Sequence, residues 1–176
     1  MRTPAERRGD LGAQLAACAA GAAGWRALAA RLGAPKLAAA CDALLDYAER
    51  RVRSRLAALE GRAGGASDRL EGDGVTDDDI PVVVALTVRD GTLVLDFAGT
   101  APQVAGNVNC PAAVTRAAAV FALRTLLDDD VPTNDGIARA IRLVLPERSA
   151  VNAAWPAAVA RRRRAECAAR TPPRRA

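Results

Sequence analysis

A change of hydrophobic period near residue 80 constrains this chain more than any other feature. After Pro35, the residues Leu37, Cys41, Leu44, Leu45, Ala48, Val52, Leu56 and Leu59 recur at three- and four-residue steps. That spacing belongs to one face of a helix. From Ile80 the step falls to two: Ile80, Val82, Val84, Leu86 and Val88 alternate with Val83, Ala85 and Thr87. A run apolar on both sides predicts a mostly buried strand. Helices first and strands later give the α+β class.

Local signals divide the chain further. Thr3-Pro4-Ala5-Glu6 has the form of a capping box with Pro at the first helical position. It predicts a helix through Leu11, Leu15 and Cys18 towards Gly21 or Gly24, with a second piece from Trp25 to Leu32 ending near Gly33. The long helix after Pro35 ends at Gly61 to Gly65, so residues 1–60 read as an antiparallel helical hairpin. Residues 61–79 read as a small, polar linker. Asp90-Gly91 is a two-residue hairpin signal, and Leu93, Leu95 and Phe97 form the inward face of a return strand. Ala112 to Leu127 reads as an alanine-rich helix, Asn134-Asp135-Gly136 as a turn, and Arg139 to Leu145 as another strand. The expected order over residues 80–159 is β-β-α-β. Residues 160–176 show neither period and are expected to be disordered.

Composition narrows the function classes. The hydrophobic content is 51%, but aromatic residues are only 3%, so the core rests on small side chains. No apolar run reaches the ~18 residues that span a bilayer, and no signal peptide opens the chain; both point to a cytoplasmic protein without a membrane role. The net charge of +5 resides in the tail. Residues 161–176 hold seven Arg and one Glu, which leaves 18 basic against 19 acidic groups in residues 1–160. Nucleic-acid binding is therefore disfavoured: the basic segment lacks interleaved aromatics and the body is not basic. There is no histidine, and Cys18, Cys41, Cys110 and Cys167 are too widely spaced for a zinc motif.

Between the second strand and the next helix lies Asp96-Phe97-Ala98-Gly99-Thr100-Ala101-Pro102-Gln103-Val104-Ala105-Gly106-Asn107-Val108-Asn109-Cys110-Pro111. Asp96, Thr100, Asn107 and Asn109 are its polar candidates for contact with a substrate or a partner. A helix starting at Pro111 offers free N–H groups suited to a carboxylate or phosphate. The alternative is structural: Asn109 caps that helix, and Gly99 and Gly106 permit the turn. No residue is assigned a catalytic role, because Ser54, Ser67, Ser149 and Cys110 have no base to activate them. No metal ligand is assigned either; Asp77-Asp78-Asp79 and Asp128-Asp129-Asp130 read first as solvated turn carboxylates and only second as a cation site.

This loop resembles a motif of the hydantoinase B/oxoprolinase family, the B-type subunit of N-methylhydantoinase and 5-oxoprolinase enzymes. Further matches are Arg2-Thr3-Pro4 with Glu6-Arg7, Gly9-Asp10-Leu11 and Ala13-Gln14, and the helix from Ala39 to Arg51 with Tyr47 and Glu49-Arg50-Arg51. After the loop come Ala113-Val114-Thr115-Arg116, Asp129-Asp130-Val131-Pro132-Thr133-Asn134, Pro146-Glu147, Val151-Asn152 and Pro156-Ala157-Ala158-Val159. The agreement covers residues 2–159. The resemblance implies an internal fragment of an ATP-dependent hydrolase of a cyclic amide, 5-oxoproline or a hydantoin, with ketone carboxylase subunits as the alternative. It implies an A-type partner subunit that handles ATP, and ATP with a divalent metal in the complete complex; this chain itself is expected to carry no cofactor. It leaves homo-oligomerisation open. The family's His- and Asp-bearing segments precede the matched region, so the fragment alone is expected to be inactive. A non-catalytic module that docks on the A-type subunit is the second reading. Where the family continues with a glycine-rich stretch, this chain has Arg161-Arg162-Arg163-Arg164; a GGC repeat read as CGG gives arginine, so a frameshifted C-terminus is expected.

Overall fold

The computed structural model describes residues 3–159, in two compact units, Met1–Leu44 and Leu45–Ala176. The Arg-rich segment expected to be disordered and frameshifted lies outside the described residues.

The first unit holds α1 (Pro4–Leu32) and the start of α2 (Ala34–Ala57). Helix α1 is continuous through Gly21 and Gly24, where the sequence predicts a break. The surrounding alanines, the best helix formers, outweigh two glycines at ~1 kcal/mol each. Its end is the predicted one: Gly33 takes φ 82°, and its N–H donates to the Ala29 carbonyl at 2.9 Å. The capping box does not form. Thr3 sits at the N-cap in a left-handed conformation (φ 50°) and its side chain makes no capping bond; that geometry needs an extended N-cap backbone. No residue of α1 is buried.

The second unit is built on a four-stranded mixed sheet in the order β1 (Ala63–Glu71), β2 (Asp79–Arg89), β3 (Thr92–Asp96), β4 (Ile141–Val144). Strand β1 corrects the expected linker. It pairs antiparallel with β2 from Ala63 opposite Thr87 to Glu71 opposite Asp79. Only Leu70 along it is buried, so backbone pairing holds this edge strand and no side-chain period reveals it. Asp90 and Gly91, both at positive φ, close the β2–β3 hairpin, as a primed turn requires. Strand β3 then pairs parallel with β4, Leu93 opposite Ile141. The crossover between them carries α3 (Ala112–Arg124) and α4 (Asp135–Arg139). Helix α4 replaces the predicted turn: Asn134 caps it, accepting from the Gly136 N–H at 2.9 Å.

The main core gathers Val52 and Leu56 of α2, Val88 of β2, Leu123 of α3, and Ile137 and Ala140. Two smaller clusters lie under the motif loop. Leu70, Ile80, Val108 and Ala150 form one; Val82, Phe97 and Val151 form the other. These clusters pin the loop to the sheet from below.

Candidate functional site

The loop from Asp96 to Pro111 is stitched to its surroundings almost entirely by its own polar groups. Thr100 is buried, and its Oγ1 both donates to the Val83 carbonyl and accepts from the Val83 N–H, each at 3.0 Å. It thereby ties the loop to β2. The next residues form a ladder with a later segment: Ala101 N–H donates to Pro81, Ala150 N–H to Ala101, and Gln103 N–H to Arg148. The Gln103 side-chain oxygen accepts from the Ala154 N–H at 2.9 Å.

Asn109, 1% exposed, is the hub. Its Oδ1 accepts from the Val104 N–H at 2.8 Å. Its Nδ2 lies 2.8 Å from the Val104 carbonyl and 3.0 Å from those of Gly106 and Ala158. An amide has two N–H hydrogens, so three carbonyls share two donors and no N–H is left to donate to a ligand. Asn109 does not cap α3, whose N-cap is Pro111 with no side-chain bond. Asp96 is half-buried and accepts from the Ala98 N–H at 2.8 Å. Asn107 is exposed. Of the four candidates, then, Thr100 and Asn109 are turned into the fold, while Asp96 and Asn107 keep access to solvent.

Sequence reasoning missed Asp73. It lies in the short connection between β1 and β2 and is 4% exposed. Its Oδ1 accepts from the N–H groups of Val75 and Thr76 at 2.7 and 2.8 Å, and its Oδ2 from Gly106 at 2.7 Å. Hydrogen bonds from Thr76, Gly106 and Val75 hold its carboxyl below the usual carboxylate range. A Cβ on Gly106 would run into the backbone oxygen and side chain of Asp73, so glycine is needed here for close approach. The available signal was Gly72-Asp73-Gly74, a turn sequence; both glycines adopt positive φ.

The remaining polar groups support the structural reading. Thr115 of α3 donates its hydroxyl to the Val151 carbonyl. Ser149 is buried, and its Oγ has no hydrogen-bond partner. Both Asp triplets engage arginine: Arg51 binds Asp130 at 2.7 Å and Asp128 at 3.3 Å, and Arg69 binds Asp79 at 3.0 Å. Among the described residues, no group of three or more His, Cys, Asp or Glu side chains could hold a metal ion. No helix among them is long and apolar enough to cross a membrane.

The model of the hydantoinase B/oxoprolinase family matches residues 1–171, continuing past Val159 into the arginine-rich segment. An uncharacterised protein of Methanocaldococcus jannaschii is 31% identical over 159 residues, which is 90% of this chain and 28% of that one. 5-Oxoprolinase 1 of Arabidopsis thaliana is 32% identical over 160 residues, 85% of this chain and 13% of its own length. The crystal structure of an ATP-dependent caprolactamase from Pseudomonas jessenii superposes with a TM-score of 0.79 at 23% identity, over 97% of this chain and 30% of that one. The chain thus spans less than a third of each of these proteins, and it shares its fold with the matched part of the caprolactamase. With its motif loop in place and nearly its whole length matched, the chain belongs to the hydantoinase B/oxoprolinase family.

Proposed function

We propose that this chain is part of a B-type subunit of an ATP-dependent hydrolase that opens a cyclic amide. The observation that carries this reading is the family match over residues 1–171. The 5-oxoprolinase and caprolactamase names among the similar proteins support a ring amide as the substrate class. 5-Oxoproline and a hydantoin are the proposed substrates. The division of labour follows the family. An A-type partner uses ATP, with a divalent metal, to activate the amide oxygen. The B-type subunit serves hydrolysis of the activated amide in the cytoplasm.

This segment alone has no activity in this proposal. It has no histidine, and the described residues contain no metal-binding cluster. Its contribution is a rigid platform around the Asp96–Pro111 loop. The test is 5-oxoproline- or hydantoin-dependent ATP hydrolysis by the purified chain, alone and with an A-type subunit. Turnover by the chain alone overturns the assignment of the chemistry to the rest of the enzyme.

A second reading, a non-catalytic docking module, is favoured by the solvent access of Asp96 and Asn107 beside the inward-turned Thr100 and Asn109. Capture of an A-type subunit by the wild-type chain, weakened by Asn107→Ala, supports it. Equal capture by both proteins removes Asn107 from the contact. Asn109→Ala is unsuitable for this test because it breaks the loop itself.

A further inference from the structure

The tip of the motif loop alternates between anchored and outward residues. Val104, Gly106 and Val108 turn into the fold, and Ala105 and Asn107 are exposed. Val104 gives both its N–H and its carbonyl to the Asn109 side chain. Val108 is buried with Leu70, Ile80 and Ala150. Gly106 is held from two sides at once. Its carbonyl accepts from Asn109, and its N–H donates to Asp73, 33 residues away in sequence. A peptide plane bonded on both sides cannot turn without losing a bond, so the next residue, Asn107, leaves the fold in one direction.

Asp73 reaches this peptide from a different place in the fold, the connection between β1 and β2. One carboxylate oxygen closes its own turn by accepting from Val75 and Thr76, and the other accepts from Gly106. The close approach is specific: the three atoms nearest to a Cβ built on Gly106 all belong to Asp73. Gly106 is not in the left-handed region, so its missing side chain serves that approach and not a turn. Residues 104–109 carry no charged side chain, so no cation of the tip competes for the carboxylate. Hydrogen bonds to an ionised acceptor are about twice as strong as neutral ones. A contact group held in place beforehand loses less freedom when it binds.

We infer that Asp73 is a positioning residue: through Gly106 it fixes Asn107 in the orientation that the tip offers to the A-type subunit. The partner rests on the docking reading above, whereas the fixing rests on the contacts alone. Asp73→Asn keeps the size of the side chain but leaves it one acceptor oxygen. The orientation that keeps two bonds, from Val75 and Thr76, turns the amide nitrogen towards the Gly106 N–H, donor against donor. Gly106→Ala attacks the same contact from the other side and leaves the carboxylate intact.

Hydrogen exchange on the full chain reads the fixing. In both variants the amide at position 106 should exchange about 10-fold faster or more. The reference is the N–H of Val88, which donates to Arg62 in the sheet. Acceleration shared equally by Val88 is a loss of global stability and overturns the inference, as does unchanged exchange at position 106. Capture of the A-type subunit reads the consequence. Asp73→Asn should weaken it, and adding Asp73→Asn to Asn107→Ala should bring no further loss, because both act on one contact. Losses that add, or full capture by Asp73→Asn, overturn the positioning role. Capture that is absent, or indifferent to Asn107→Ala, removes the docking reading and the role with it; fast exchange at position 106 then shows that the latch exists and the contact does not.

Discussion

Asn109 concentrates the stability of the motif loop in one carboxamide. Its four contacts satisfy backbone groups of Val104, Gly106 and Ala158, the Gly106 carbonyl among them buried. Asn109→Ala strands several of them at ~1–3 kcal/mol each, so a loss of about 2–4 kcal/mol is expected in urea denaturation. Asn109→Asp should not rescue it, since a carboxylate cannot donate to three carbonyls. Asp73 adds a pH dependence. Its folded carboxyl is held below the ordinary range, so the unfolded chain binds the proton more readily. Stability from Asp73 is therefore complete above the unfolded pKa and is lost as pH falls through the lower folded value. Asp130, held down first by its hydrogen bond to Arg51, contributes with the same sign, but that ion pair is exposed and salt screens it. Melting curves between neutral and acidic pH should show a loss that persists at high salt and is reduced in Asp73→Asn. An unchanged acid limb in that variant removes Asp73 as its source.

At the scale of elements, α1 offers a direct test of why it runs unbroken. Gly9 and Gly24 are exposed, and a Cβ at either meets nothing within 4 Å. Gly9→Ala and Gly24→Ala should each stabilise the helix by about 1 kcal/mol, seen as a stronger helical signal at 222 nm. No gain from either would mean that α1 is already fully formed in solution. The same helix shows what a sequence conveys. Its existence and its end at Gly33 were legible, as were the long helix after it, the β2–β3 hairpin and β4, because period and turn chemistry report them directly. Strand β1 was not. Its Ala63-Gly64-Gly65-Ala66 segment pairs by backbone and buries no side chain, so it leaves no alternation to read. Thr100 and Asn109 were legible as special residues but not in their role, which depends on Val83, Gly106 and Ala158 being close. Asp73 was hidden for a related reason: its partner Gly106 is distant in sequence, and a polar stretch between glycines looks like any turn.

For the whole second unit, an alanine-rich composition has a packing consequence. Helix α3 faces β2 and β3 with Ala119 and Ala122, opposite Val84, Leu86, Leu95 and Phe97, and a cavity of about 390 Å³ remains between them. Alanine covers a sheet without filling the space above it, so apolar side chains on both walls lack partners and dispersion contacts are lost. Ala122 is exposed and lines this cavity, so a larger apolar residue there can extend into the gap without displacing a buried neighbour. Ala122→Leu should raise stability by about 1 kcal/mol and lower the binding of an apolar fluorescent dye. Both readouts are needed, because a stability gain alone could come from helix α3 without any filling of the cavity. Destabilisation with unchanged dye binding would mean that the sheet and helix have already closed over the gap in solution. The small side chains of α3 would then mark close packing, and the space above β2 and β3 would not be available to a further apolar segment.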